Sequence, residues 1–459
     1  MAKKLSASAI AQIIADADTD NDSCPSDEEP LYMDKSEDEQ PTDSDESDSD
    51  YLEESDDDGD TSDCAYLSRD GTEWGISGPH RASYRMHNIC RITSGPTINV
   101  KHLNDSTGIF KYLVDETIIR SIVKCTNIRI ENESLSDREV HENLVEDVTV
   151  DEVYSYIGIL VLLGLLKKRR VDISDIWREA ENALHRGDMV CATMSREKFK
   201  FLSRFLTFDD MTTRNSRAVE DPKFYKFREV FDYVRNKCRN AYEPGCHTSV
   251  DENLYSFRGK FKARQYMPKK PAKYGIKIWQ LVDSSSRYLY NFDIYLGKDG
   301  NIVTKNLGEK VVLSLSSTLN KTGRNITVDN YFTSKSLALK LWDNGLTLVG
   351  TIKSHRREVP SAARPLKDRI VHSSIFLFSR FLTLVSYVPK KNRVVNILST
   401  QHHRKAISEQ AKEKKPEALL YYNETMGGSD TFDQMISEYS CRRTTGRWTM
   451  RFFTISSTQ

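Results

Sequence analysis

Residues 323–342 read GRNITVDNYFTSKSLALKLW. Ile326, Thr327 and Val328 form a short β-branched run, the composition of a buried strand. Asp329 and Asn330 follow at once. Leu337, Leu341 and Trp342 then recur at helical spacing, so the stretch reads as strand, carboxylate, helix. An isolated charge at the edge of a core is costly unless something pairs with it. Asp329 therefore either caps the following turn or holds a cation.

The same texture extends outward. HTSVDENLYSFRG (247–259), YGIKIWQLVDSSSRYLYNFDIYLG (274–297) and LTLVGTIK (346–353) are rich in β-branched and aromatic residues, with SSSRY as a hairpin turn. Strands alternating with helical stretches predict a mixed sheet with flanking helices. Two more apolar runs, at 373–388 and 393–400, lie in a stretch that reads as an insertion, with a basic connector after them. Upstream, residues 106–243 read as helical throughout. Phe110, Leu113, Ile118, Ile119 and Ile122 share one face, and Phe224, Phe227, Val230, Phe231 and Val234 another. Thr149 and Glu152 have capping-box spacing, and Ser195 is placed to cap a helix. Residues 64–107 read as an irregular arm.

Charge is divided along the chain. Net charge is −1, yet residues 1–63 hold 23 Asp and Glu against 3 Lys, and the remainder holds 63 Lys and Arg against 44 Asp and Glu. Residues 16–63 have too few large apolar side chains to offset the entropy of ordering and are expected to be disordered. This acidic stretch is a solubilising tail or a polyanion that screens the basic body; Ser26, Ser44 and Ser47 sit among its acids. A basic body implies a polyanionic partner, nucleic acid first. Residues 5–15 have the pattern of a short amphipathic helix. The longest apolar run, 157–166, is too short to span a bilayer, so no membrane role is expected.

None of the eight cysteines forms a C-x-x-C pair, which predicts reduced thiols and no zinc finger. Cys246 beside His247 is a weak ligand pair.

Four aspartates stand out. Asp251 ends one strand as Asp329 ends another, and Asp430 and Asp433 lie three apart in the expected first turn of a helix. Singly, each has an ordinary explanation as a cap or a partner of the helix dipole. Together they suit one chemistry. Carboxylates about 4 Å apart repel by roughly 4 kcal/mol at an effective dielectric near 20, so three converge only around cations. Two Mg²⁺ or Mn²⁺ ions in such a setting support in-line phosphoryl displacement.

The motifs VDENLYSFRGK, MPKKPAKYGIKIW, VDNYFTS, VGTIKSHRREVP and YYNETMGGSDTFDQM resemble the piggyBac family of DNA transposases and their domesticated relatives, over roughly residues 74–453. The resemblance implies an α/β (mixed) fold: an RNase H-like catalytic core interrupted by a β-rich insertion, preceded by an all-helical domain and a disordered acidic N-terminal tail. The implied layout is a tail over 1–73 and a helical dimerisation and DNA-binding domain over 74–246. The core spans 247–353 and 417–436, the insertion 354–416, and a shortened C-terminal helical segment 437–459. The implied reaction is metal-dependent cut-and-paste transposition at TTAA targets through hairpin-ended intermediates, in the nucleus, by a homodimer on double-stranded DNA. By motif, Asp251, Asp329 and Asp430 match the metal-binding catalytic aspartates and Asp433 a supporting one, with Asn330 beside them as a residue that supports the metal ligand or forms the turn. Ser429 stands where the family commonly has an apolar residue. After GRWTMRFF the chain reads TISSTQ, without the cysteine-rich module of many members.

Eight basic residues and no acids lie between 258 and 277: Arg258, Lys260, Lys262, Arg264, Lys269, Lys270, Lys273 and Lys277, interleaved with Phe261, Tyr266 and Tyr274. Directly after Asp251, such a loop is expected to contact phosphates. Arg442, Arg443, Arg447 and Trp448 are placed to continue that track, with Trp448 equally readable as a packing residue. The alternative to a transposase is a domesticated DNA-binding protein without transposition activity; a simple nuclease ranks third.

Overall fold

Thr149 and Glu152 close a reciprocal capping box in the computed structural model, which describes residues 34–35, 64–78, 89–134, 147–182, 188–298, 305–365, 369–409 and 413–457. The expected helix at 5–15 and most of the acidic tail lie outside these residues. The capped helix belongs to a helical body: α1 (Ser106–Leu113), α2 (Glu116–Ser134), α3 (Val150–Leu165), α4 (Ile173–Asn182), α5 (Asp188–Thr193), α6 (Arg196–Phe205), α7 (Arg214–Glu220) and α8 (Tyr225–Ala241). Ser195 caps α6 by accepting from the Lys198 N–H. Apolar stripes of α2, α3, α6 and α8 converge on one core, as their periodicity predicts.

A large mixed sheet follows. Its strands are β1 (Cys64–Leu67), β2 (Glu73–Gly75), β3 (His247–Ser256), β4 (Gln265–Tyr266), β5 (Tyr274–Asp283), β6 (Leu289–Ile294), β7 (Asn325–Val328), β8 (Thr347–Ile352), β9 (Ser374–Ser379), β10 (Leu382–Lys390) and β11 (Arg393–Ser399). They run in the order β4-β5-β3-β7-β8-β11-β10-β9-β2-β1, with β6 also on β5; Asp34–Lys35, within the stretch expected to be disordered, pairs parallel with β4 at that edge. The central trio β3, β7 and β8 is parallel and buried, and the flanking pairs are antiparallel. Helices α9 (Leu307–Ser316) and α10 (Lys335–Asp343) pack Val312, Leu315, Leu337 and Leu341 with Ile326, Val328 and Leu348 of the sheet. A long helix, α11 (Glu417–Glu438), shares a second core with β8–β11. The last helix, α12 (Trp448–Ser456), sets Phe452 against Phe224 and Phe227 of α8 and its approach.

Several expectations need correction. Residues 64–75 are not irregular: β1 and β2 pair with each other, and β2 joins the sheet at β9. Trp74, 1 % exposed, anchors them by donating to Ser68 Oγ and the Glu358 carbonyl. The strands of the expected insertion, 354–416, are hydrogen-bonded to the sheet through β11 and β8, which an insertion also permits. Cys246 is not a reduced thiol or a ligand. It is disulfide-bonded to Cys90 across 156 residues, while His247 hydrogen-bonds Tyr421. The glycine at 323, in left-handed conformation, lets residues 89–90 press against the loop before β7 and so reach Cys246. Among the described residues no helix is long and apolar enough to cross a membrane.

Candidate active site

Parallel pairing sets the first geometric fact. Val250 of β3 is in register with Val328 of β7, so Asp251 and Asp329 lie side by side at the same level. β7 ends there as expected, but Asp251 does not end its strand: β3 continues to Ser256, held by pairing with β5. The Asp329 carboxylate accepts from the Tyr331 N–H at 2.9 Å, and its carbonyl accepts from Thr333 Oγ1 at 2.7 Å. Those bonds turn the chain into α10, capped by Ser334. Asn330 is exposed.

Helix α11 crosses these strand ends. Its polar face lists Tyr421, Thr425, Ser429 and Asp433, four apart and so one above another. Tyr421 Oη meets His247 Nδ1 at 2.7 Å, Thr425 meets Thr327 at 2.7 Å, and Ser429 meets Ser249 at 2.7 Å. Asn253 Nδ2 donates to Asp433 Oδ1 at 2.5 Å. A Cβ at Gly428 would lie 2.7 Å from Ser284 Cα, so only glycine permits the helix this close to the end of β5. Asp430 and Asp433 sit in the fourth and fifth turns of a helix that begins at Glu417, not in a first turn. Gly428 is a close-contact point within the helix, and a dipole role for Asp430 falls away.

The electrostatics follow from that packing. Burial raises the Asp251 carboxyl well above the usual range, helped by Glu252 and Asp329, although the Glu252 N–H donates to it. Burial and Glu252 push Asp329 up to about 6. Asp433 is pushed up to about 7 by burial, with Asp430 and Glu252 adding to it against Lys270 and Asn253. Asp430 itself is exposed. Glu252 thus belongs to the cluster, which the sequence reading missed; its place beside Asp251 was the signal. Lys270 faces the cluster, and Lys353 acts on Asp329. Lys270 lies 3.5 Å from Glu252 Oε1 and donates to the Glu252 carbonyl at 3.2 Å. Its pKa is raised despite burial, by Glu252, Asp251 and Asp433. Among the described residues no three of His, Cys, Asp and Glu stand close enough together to cage an ion as they are.

The basic loop divides by role. Arg258, Lys260, Lys262, Lys269 and Lys273 are exposed. Arg264 is folded inward and donates to the carbonyls of Arg258 and Gly259, at 2.5 and 2.8 Å. Lys277 is 7 % exposed, with Nζ 4.0 Å from the Trp279 ring centroid and 5.3 Å from that of Tyr331. Phe261 packs on Trp448, and Tyr266 on Tyr274. The expected continuation through residues 442–448 does not hold for three of its members. Arg447 donates to the carbonyls of Ser203, Arg204 and Leu206 at the end of α6, and Arg443 to those of Lys168 and Val171 beyond α3. Arg447 thus satisfies carbonyls at the C-terminal end of α6, and Arg443 those of the connection between α3 and α4. Trp448 is core.

With this geometry in place, comparison with known proteins is direct. Residues 105–458 match the family model described as Transposase IS4. A cryo-EM structure of the piggyBac transposase synaptic complex with hairpin DNA matches with a TM-score of 0.74 and 37 % identity, over 80 % of this chain and 76 % of that one. The chain belongs to this transposase family, in the company of piggyBac. Two human proteins are 24 % identical over 376 residues, 78 % of this chain: PiggyBac transposable element-derived protein 3 and the Chimeric ERCC6-PGBD3 protein. The chain spans 60 % of the first and 34 % of the second.

Proposed function

We propose that this chain cleaves and transfers DNA strands by metal-dependent phosphoryl transfer, as a cut-and-paste transposase acting at TTAA targets in the nucleus, as a homodimer. The observation that carries the reading is the level pairing of Asp251 and Asp329, with α11 bringing Asp430 and Asp433 across them. In this reading 247–353 and 417–436 form an RNase H-like core, 354–416 an insertion, and 74–246 the dimerisation and DNA-binding body.

The donor set suits a hard divalent cation. It consists of carboxylate oxygens, and three of them are held above their usual pKa range by burial and mutual repulsion. Asp251, Asp329 and Asp430 would hold Mg²⁺ or Mn²⁺. Two such ions, when bound, supply charge stabilisation for the entering and leaving oxygens. The chain's own contributions are positional. The parallel pairing of β3 and β7 fixes two carboxylates and the hydroxyl ladder fixes α11. Asp433, tied to Asn253, orients that helix face, and Lys270 offsets negative charge at the rim. The exposed Arg258, Lys260, Lys262, Lys269 and Lys273 would position the duplex through its phosphates.

The test is incubation with duplexes carrying candidate transposon ends and Mg²⁺ or Mn²⁺, resolved on denaturing gels. Nicks followed by hairpins support the reading. Tight binding without strand breakage supports the alternative, a domesticated DNA-binding protein; the human relative's name, transposable element-derived, favours keeping it.

A further inference from the structure

The segment LKKRR, residues 166–170, is not used by the site described above. α3 ends at Leu165, and Lys167 adopts a left-handed conformation with φ 57°. The N–H groups of Lys167 and Lys168 donate back to the carbonyls of Gly164 and Leu163. This is a helix exit that glycine fills most easily, so a lysine there carries a conformational cost. Non-glycine residues kept in such positions are enriched at functional sites.

The exit abuts the end of α11. A Cβ at Gly164 would lie 3.0 Å from the Tyr439 carbonyl, and Arg169 donates to the Ser437 carbonyl at 2.8 Å. Lys167 pairs with Glu438. Between the two elements lies an open cleft of 270 Å³, lined by Gly164, Lys167, Arg169, Arg170, Ser437 and Glu438. Three of these carry positive charge and one negative charge.

The cleft continues the face of α11 that bears Asp430. Asp430, Gln434, Ser437 and Glu438 are all exposed and share the i, i+4, i+7, i+8 spacing of one helix face. At 1.5 Å per residue, Glu438 lies about 12 Å along the axis from Asp430. One DNA strand advances 3.4 Å per nucleotide, so the separation corresponds to roughly three to four nucleotides.

We propose that this cleft is a phosphate-binding subsite for the DNA strand that passes Asp430, with Lys167 and Arg170 as its contacts and Arg169 as the residue that holds α11 against it. The inference rests on the proposed action on DNA and adds a location to it. A strand at the carboxylates meets the cleft as it runs along α11, and Lys167 gives up Glu438, an exposed partner of small energetic weight, for the phosphate.

The test uses the full chain and a radiolabelled duplex over a salt series, comparing wild type, Lys167→Gly, Arg170→Ala, the double variant and Arg170→Lys. Each lost phosphate contact makes the slope of log K against log salt shallower by about 0.9, so the double variant loses about 1.8. Arg170→Lys keeps the wild-type slope. Lys167→Gly suits the left-handed site, so its melting temperature is no lower than wild type while its DNA affinity falls. Wild-type binding with an unchanged slope in the double variant overturns the subsite and leaves the proposed function standing. Absence of binding by the wild-type chain overturns both.

Discussion

Ser249 and Ser429 place their hydroxyls 2.7 Å apart in a buried contact between β3 and α11, two elements 180 residues apart in sequence. This bond and the Thr327–Thr425 bond fix the helix that bears Asp430 and Asp433 over the strands that bear Asp251 and Asp329. Replacing either serine by alanine strands the other hydroxyl in the core, at a cost of about 1–3 kcal/mol. Replacing both removes the mismatch, so the double variant should lose less stability than the sum of the singles. Urea midpoints of the four proteins check this; simple additivity would show that the two hydroxyls act independently.

The raised carboxyls make metal-free stability depend on pH. Asp433 is pushed up to about 7 and Asp329 to about 6, burial being the first cause for both. Between about pH 4 and 7 the folded chain therefore holds protons that the unfolded chain, with ordinary carboxylates near 4, has released. Stability falls as pH rises through that window. In chelator, the melting temperature should decline from pH 5 to 7.5, less steeply in Asp433→Asn. Mn²⁺ should raise it more at pH 7.5 than at pH 5. Superimposable profiles for wild type and Asp433→Asn would remove Asp433 from the cluster.

The Cys90–Cys246 bridge closes a loop of 156 residues just ahead of β3. Loss of such a bridge typically costs about 2–5 kcal/mol. Cys90→Ser should melt several degrees below the oxidised wild type. A reductant should bring the wild type down to the variant and leave the variant unmoved; equal effects on both would mean that another contact is being reduced.

Much of this was legible in the sequence. The β-branched run at 326–328 and the helical spacing of Leu337, Leu341 and Trp342 anticipated β7, its carboxylate and α10. Local signals were enough because those residues form their own contacts. What stayed hidden depends on partners far along the chain. Cys90 meets Cys246, Trp74 meets Glu358, and Gly428 lets a helix that begins at Glu417 run past Ser284. Arg443 and Arg447 read as a DNA track because sequence shows their charge but not the helix-end carbonyls they satisfy. Glu252 was passed over because a strand's alternation assigns it to the face opposite Asp251. The end of β7 leaves that edge open, and Glu252 influences both aspartates.

The acidic N-terminal stretch offers a separate test. Removing residues 1–63 strips a net charge of −20 from the chain. Non-specific duplex affinity at low salt should rise, because the basic remainder then meets phosphates without internal competition. Equal affinities of full-length and shortened chains across a salt series would assign the stretch no screening role.

The central claim is that Asp251, Asp329 and Asp430 act together on one scissile phosphate. Its most direct test is single-turnover cleavage of a transposon-end duplex in Mn²⁺ by Asp251→Asn, Asp329→Asn and Asp430→Asn, with Asp433→Asn alongside and DNA affinity measured for each. A lost ligand removes several kcal/mol of charge stabilisation, so each of the three should cut at least roughly 10²-fold more slowly while binding DNA as wild type does. Asp433→Asn should fall between them and the wild type. Near-full cleavage by any one of the three would contradict the account, because the shared site would then lack a ligand that it needs.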